Sequence, residues 1–362
     1  MLYFLFAIVV IIISIVLFFR LKSFGGELKG ERLAKVQQSP NYRNGAFHYP
    51  AKTVLMSGAG NYFSVLKQFL KKDPNKQPNS PLPTIKTNLK TLPSNETSIV
   101  WFGHSSYFLQ ANDFKMLVDP VLSERISPVK FAGTKSYPGT RIYSPDDIPE
   151  LDCLLLTHDH YDHTDYQTIV ALNTKVKKIY TSLGVGAHLE HWGIEASKIH
   201  EFDWWDTLAI TPDIQLTATP ARHFSGRRLT NRNQTLWSSF VLSTPNHRIF
   251  IGGDSGYGEH FKKIGEKFGP FDLVIMETGQ YNVQWANIHS MPEEAVQASV
   301  DLQAKVMLPV HWGKFTLALH PWTEPIERVL TKAKELGVTV TTPLIGELLV
   351  LDGVYPTSRW WV

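Results

Sequence analysis

The chain has 362 residues, 43% hydrophobic and 19% charged, with a formal net charge of +3. That composition can bury a large core and excludes a disordered chain, and so modest a charge argues against the concentrated basic face of a nucleic-acid binder. The single cysteine, Cys153, rules out an internal disulfide; within the apolar run Leu151 to Leu156 it reads as a small buried hydrophobe rather than a nucleophile, and it fits a reducing compartment.

Residues 1–19 carry no charged side chain and are almost all Leu, Ile, Val and Phe. A helix of ~20 apolar residues spans a bilayer core, so this segment is expected to be a retained single-pass transmembrane anchor. A cleaved signal peptide would want a basic residue before the run and a small-residue cleavage site, and neither is visible. Arg20, Lys22, Lys29, Arg32 and Lys35 follow the run, which by the positive-inside tendency places the body in the cytoplasm. Residues 20–97 read as a juxtamembrane arm or linker, loop-rich from Asp73 to Pro93, with a short amphipathic helix over Tyr62 to Lys71.

Residues 98–362 have a different texture and form one catalytic domain. Short apolar runs recur: Ile99 to Phe102, Lys115 to Val118, Cys153 to Leu156, Gln215 to Thr219, Arg248 to Ile251, Leu273 to Met276 and Val306 to Val310. Each ends in a polar or glycine-containing turn, the mark of a buried strand. Helices are expected over Tyr166 to Leu172, Pro292 to Leu302 and Glu324 to Leu336; Pro292-Glu293-Glu294 puts proline in a first turn and acids at the positive end of the dipole.

The chemistry is concentrated where the run ending at Leu156 meets Thr157-His158-Asp159-His160-Tyr161-Asp162-His163. Residues two apart on extended backbone point the same way, so His158 and His160 can converge on one ion while Asp162 and His163 reach a second. Imidazole and carboxylate suit zinc, iron or manganese, with zinc the default for a histidine-rich site. His223, Asp254 and His311 each lie just beyond an apolar strand, where loops from one sheet edge can meet. The expected assignment is His158, His160 and His223 on one Zn²⁺, Asp162, His163 and His311 on the other, with Asp254 and a water bridging them. Two metals ~3.5–4 Å apart can activate that water and polarise a scissile ester.

The ligand string, in this order along the chain, resembles the metallo-β-lactamase superfamily. Trp101-Phe102-Gly103-His104-Ser105, Val118-Asp119-Pro120, Asp203-Trp204-Trp205, Gly253-Asp254-Ser255-Gly256-Tyr257 and His311-Trp312-Gly313 resemble, more closely, the N-acyl-phosphatidylethanolamine-hydrolysing phospholipases D and their bacterial relatives. The likeness runs from about residue 98 to 350. It implies an α+β fold, a four-layer αβ/βα sandwich with a dinuclear zinc site at one edge of two sheets. It also implies a metal-bridging hydroxide that attacks the lipid phosphodiester, with Asp162, Asp254 and His289 in catalytic roles and His289 contacting substrate. The text departs from the family at Tyr281 to Ala286 and in the N-terminal arm.

Other residues carry two readings each. Asp119 either orients a metal-bound histidine or caps the turn before Pro120, and His104 either supports the site or fills a turn. Tyr161 faces substrate or packs, and Trp204-Trp205 reads as core. Arg222, Arg227 and Arg228, around His223, either meet a phosphate or form a solvated face. The leading function is a phosphodiesterase of phospholipase D type on a membrane lipid, with the membrane as partner, no nucleic acid, and a homodimer allowed. The alternatives are a hydrolase of a soluble ester, lactone or sugar phosphate, and a membrane-tethered, zinc-stabilised binding module.

Overall fold

Alternation along single strands sets the layering. In the computed structural model, which describes residues 2–56, 65, 67–68, 71 and 73–362, Cys153 and Leu155 belong to one apolar cluster while Leu154 and Leu156 belong to another. Ile99 and Trp101 divide from Val100 and Phe102 in the same way. A strand whose two faces are both buried needs a continuous apolar run, which is what made these segments legible.

Apart from two hairpins of two-residue strands, the strands are β1 (Thr97–Trp101), β2 (Tyr107–Ala111), β3 (Phe114–Val118), β4 (Leu151–Leu156), β5 (Val176–Ser182), β6 (Ile199–Phe202), β7 (Thr207–Thr211), β8 (Ile214–Pro220), β9 (Ser238–Ser243), β10 (Arg248–Ile251), β11 (Phe271–Glu277), β12 (Ala304–Val310), β13 (Thr339–Val340) and β14 (Leu348–Val350). They form two seven-stranded sheets, ordered β6-β5-β4-β3-β2-β1-β14 and β7-β8-β9-β10-β11-β12-β13. The main core lies between the sheets, where Leu109, Met116 and Leu155 share a cluster with Leu216, Phe240 and Ile275. Helices cover the outer faces. Ile169 and Leu172 of α3 (Tyr166–Leu172) and Leu189 of α4 (Gly186–His191) pack on the first sheet. Phe261 and Ile264 of α5 (His260–Phe268), Ala295 and Val296 of α6 (Pro292–Asp301) and Val329 of α7 (Glu324–Leu336) belong to the cluster that includes the second. Each of these Val, Leu, Ile and Phe side chains, fully buried, contributes roughly 1.5–3 kcal/mol.

Strand direction brings the site together. β3 and β4 pair parallel, and β1 is antiparallel to β2, which is antiparallel to β3, so β1, β3 and β4 point the same way. In the second sheet β10, β11 and β12 run parallel, and β8 shares their direction through antiparallel β9. The C-terminal ends of these seven strands carry His104, Asp119, the His158 to His163 loop, His223, Asp254, Glu277 and His311.

The N-terminus departs from expectation. Helix α1 (Leu2–Phe19) has 18 residues, about 27 Å at 1.5 Å per residue, against a hydrocarbon core of ~30 Å. Among the described residues no helix is long and apolar enough to cross a membrane. The expected single-pass anchor, and with it the membrane location and the cytoplasmic placement argued from it, is therefore not supported. The helix expected over Tyr62 to Lys71 lies for the most part outside the described residues.

The arm is fastened to the body. Helix α2 (Gly30–Gln38) buries Val36. Its Arg32 meets Glu190 at 2.6 Å and the buried Glu201 at 2.5 Å. The hairpin after it docks through Phe47, whose N–H donates to the Asn233 carbonyl at 2.7 Å. Further on, the Leu82 N–H donates to Pro138 and the Ile85 N–H to Ile345, each at 3.0 Å.

Candidate metal centre

The turn after β4 makes the densest part of the site. His158 Nε2 lies 2.9 Å from His160 Nδ1, and His223 Nε2 lies 3.2 Å from the same atom. Asp254 Oδ2 stands 3.8 Å from His158 Nε2 and 3.7 Å from His223 Nε2. These four residues offer ligand atoms within 4.8 Å of one another. A second group, His104, Asp162, His163 and His311, meets the same limit. Asp254 reaches this second group as well, with Oδ2 at 3.1 Å from His163 Nε2 and Oδ1 at 3.1 Å from His311 Nδ1. All seven sequence-derived ligands thus converge, with Asp254 between the two groups; His104, not expected as a ligand, stands in the second, and a third group meeting the same limit joins Asp254 and His311 to Glu277 and His289.

The donors fit cations. His163 Nε2, His311 Nε2 and Asp254 Oδ1 are buried without a hydrogen-bond partner among the described residues. Orphaned polar atoms that converge on one spot are costly unless an ion satisfies them. Burial, then the neighbouring imidazoles, pushes the pKa of His158 and His311 well below the usual histidine range, and burial carries His160 to about 4. Those rings are neutral and keep a lone pair for a metal. For His163 burial also works against protonation, but Asp254, Asp162 and Asp119 hold its pKa well above the usual range. Surroundings that favour a proton there favour a cation too. Asp254 is raised by its burial to about 6 despite His163.

Outer contacts orient the rings. Asp119 Oδ2 accepts from His163 Nδ1 at 2.8 Å and from the Thr157 hydroxyl at 2.6 Å, while Oδ1 accepts from the Thr157 N–H at 2.8 Å. His223 Nδ1 donates to the Ile288 carbonyl at 2.7 Å. His104 Nε2 sits 2.9 Å from Asp162 Oδ2. These contacts favour the supporting reading for Asp119 and His104. His104, Asp119 and His311 all have positive φ, at 55°, 40° and 68°. Left-handed backbone at non-glycine residues is strained, and here it recurs at three site residues just after strand ends. Gly253, at φ +60°, precedes Asp254; a Cβ there would come within 3.0 Å of the Ser238 carbonyl oxygen.

Beside the ligands lies a cavity of about 350 Å³, lined by the polar His160, Asp162, Asp254, Gln280, His289 and His311 and by the apolar Leu55, Met56, Phe224, Trp285, Ile288 and Leu317. His289 Nδ1 pairs with Glu277 Oε2 at 2.7 Å, and Glu277 is buried at the end of β11. Sequence reasoning missed Glu277, although an acid closing an apolar strand was the same signal that marked the other positions. The wall formed by Leu55 and Met56 comes from the arm, where no periodicity pointed to it.

Some expectations fail. Tyr161 is not among the residues lining this cavity: its hydroxyl donates to the Arg227 carbonyl at 2.7 Å and its ring lies 4.1 Å from the Arg227 guanidinium. The three arginines are engaged by backbone rather than facing a phosphate. Arg222 donates to the carbonyls of Lys52 and Tyr257, Arg227 to those of Asp159, Thr164 and Ser23, and Arg228 to that of Gly25. Trp204 is buried, but Trp205 is 39% exposed.

Two sandwiched sheets with paired His/Asp groups at one edge define a metal-dependent hydrolase. Residues 115–312 match the model of the Beta-lactamase superfamily domain, and the chain belongs to the metallo-β-lactamase superfamily. It is 38% identical over 334 residues to a protein of Mycobacterium tuberculosis without an assigned activity, covering 90% of this chain and 88% of that one. It is 33% identical over 250 residues to N-acyl-phosphatidylethanolamine-hydrolyzing phospholipase D 1 of Caenorhabditis elegans, covering 65% of this chain and 68% of that one. Among solved structures, the metallo hydrolase Igni18 of Ignicoccus hospitalis superposes with a TM-score of 0.55 at 17% identity, over 70% of this chain and 97% of that one, a likeness of fold.

Proposed function

We propose that this hydrolase is a phosphodiesterase of phospholipase D type, acting on N-acyl-phosphatidylethanolamine-like lipids. The observation that carries the reading is the apolar cavity opening directly onto the ligand cluster. Phe224, Trp285, Ile288 and Leu317 would shelter an acyl chain from water while the phosphodiester faces the histidines. The similarity to the nematode phospholipase supports the same substrate class. A sugar phosphate would find few polar partners on that wall.

His158, His160, His223 and Asp254 would hold one divalent cation, and Asp162, His163, His311 and Asp254 a second, with zinc the first choice and iron or manganese possible. When bound, the pair supplies Lewis-acid polarisation of the ester and a water of lowered pKa. The chain's own part is positional. Asp119 fixes which nitrogen of His163 faces the centre. Glu277 accepts from His289 Nδ1 and so turns the opposite edge of that ring towards the cavity it lines. His289 is thereby placed to contact the phosphate oxygens.

The test is turnover of N-acyl-phosphatidylethanolamine in mixed micelles by the purified full-length protein, with product analysis. Release of phosphatidic acid and N-acylethanolamine, lost on chelation and restored by metal, is expected. Chelator-sensitive cleavage of simple esters with no action on the lipid would reject the lipid assignment and leave the hydrolase.

A further inference from the structure

A second cavity, of about 630 Å³, borders the metal centre through His223 and shares Leu55 with the apolar cavity. Its wall includes Arg43, Lys52 and Arg232, and among the described residues no carboxylate lines it. All three side chains are exposed, and none makes an ion pair among the described residues. That sets them apart from Arg222, Arg227 and Arg228, whose side chains are partly or fully buried and each donate to at least one backbone carbonyl. Three uncompensated cations around a concave space raise the local concentration of anions.

Their placement is built into the fold. Arg43 sits in the arm hairpin, paired with Ala46, and that hairpin is pinned by the Phe47 N–H to the Asn233 carbonyl, next to Arg232. The Lys52 backbone is held by Arg222, whose Nη2 donates to the Lys52 carbonyl at 2.9 Å while Nη1 donates to the Tyr257 carbonyl at 3.1 Å. Arg232 lies 5.9 Å from the Phe224 ring, which also lines the apolar cavity. Two chambers of opposite character therefore meet at the metal ligands, one apolar and one cationic.

We infer that the basic chamber is an anion subsite, beside but separate from the metal ligands, that receives and retains the phosphate monoester product once the phosphodiester has been cleaved at the metal centre. This rests on reading the substrate as an acylated phosphodiester. Hydrolysis adds water across the P–O bond: the alkoxy group leaves as an alcohol carrying one water proton, and the hydroxyl stays on phosphorus. The monoester so formed gains roughly one further negative charge by losing its second proton near neutral pH. The product is thus the species that three free cations hold most strongly.

The test is calorimetric titration of the metal-loaded protein with octyl phosphate, a monoester with a short chain, and with octanol, its uncharged counterpart. For the variant Arg43→Gln/Lys52→Gln/Arg232→Gln, octyl phosphate is expected to bind about ten-fold or more weakly, a sum of three modest charge contacts. Octanol should bind as before, and 0.5 M salt on the unaltered protein should reproduce most of the loss because exposed charges are screened. Unchanged octyl phosphate affinity in both arms would overturn the subsite and leave the metals as the whole phosphate site. An equal loss for octanol would overturn it too, since the apolar cavity would then be what changed. If the protein fails to cleave N-acyl-phosphatidylethanolamine yet octyl phosphate binding follows the three cations, the subsite stands and the lipid reading falls.

Discussion

Arg227 donates from its buried guanidinium to the carbonyl of Asp159 at 2.6 Å, in the middle of the metal-ligand run. The same group donates to Thr164 at 2.8 Å and to Ser23 of the arm at 2.9 Å, and lies over the rings of Tyr161 and Trp192. The ligand loop and the arm are therefore held by one side chain. Arg227→Met keeps the bulk but leaves three carbonyls without that donor. A loss of about 2–4 kcal/mol of stability is expected, with bound metal weakened about ten-fold or more. Denaturant melts and metal competition with a chelator measure both; unaltered metal affinity in a destabilised protein would show that the loop is held by other contacts.

The arm itself can be tested by truncation. Removing residues 2–19 should leave the melting temperature nearly unchanged, because the side chains of α1 are largely exposed. Removing residues 2–40 takes away Ser23, Val36 and Arg32, whose partner Glu201 also accepts from the Gly184 and Gly186 N–H groups at 2.9 and 2.8 Å. That cut should lower stability by about 3 kcal/mol or more. Equal melting temperatures for both truncations would mean that the arm adds nothing to the body.

Asp119→Ala removes the acceptor of His163 Nδ1 and of the Thr157 hydroxyl and N–H. Metal affinity should fall about 10- to 100-fold, as for other carboxylates behind a ligating histidine. Chelator competition reads this directly, and a variant with full affinity would return Asp119 to a turn-capping role.

Lys314 is buried, and its ammonium donates to the carbonyls of Phe102 and Val121 at 3.1 and 3.0 Å. Burial, with Arg141 nearby, lowers its pKa to about 7. The unfolded chain keeps the ordinary lysine pKa of about 10.4, so between these values it binds more protons than the folded chain. Stability from this group therefore rises with pH across that window, by up to about 1.4 kcal/mol per unit, and its penalty is full below pH 7. Lys314→Met should flatten the slope of stability against pH between about 7 and 10. Identical slopes for the two proteins would show that Lys314 stays charged when folded.

The parts of the fold legible in the sequence were those with strong local signals. The runs at Cys153 to Leu156 and Leu273 to Met276 are buried on both faces and so uniformly apolar. β7, at a sheet edge with mixed exposure, and the two-residue β13 carry no such pattern. The seven ligands were legible because each follows a strand whose direction the topology then aligned. Leu55, Met56, Arg43 and Lys52 were not, since only tertiary docking of the arm brings them to the site. The apolar N-terminal run misled for a different reason: composition marked its character, but its helix stops at Phe19 and falls short of a bilayer's thickness.

The most direct test is anomalous diffraction from crystals of the metal-loaded protein, paired with metal analysis of His160→Ala and Asp254→Asn. Two peaks are expected, one among His158, His160 and His223 and one among Asp162, His163 and His311, with Asp254 between them. Both variants should lose metal and chelator-sensitive hydrolysis. Peaks elsewhere, or variants with full metal content and wild-type turnover, would contradict the dinuclear site.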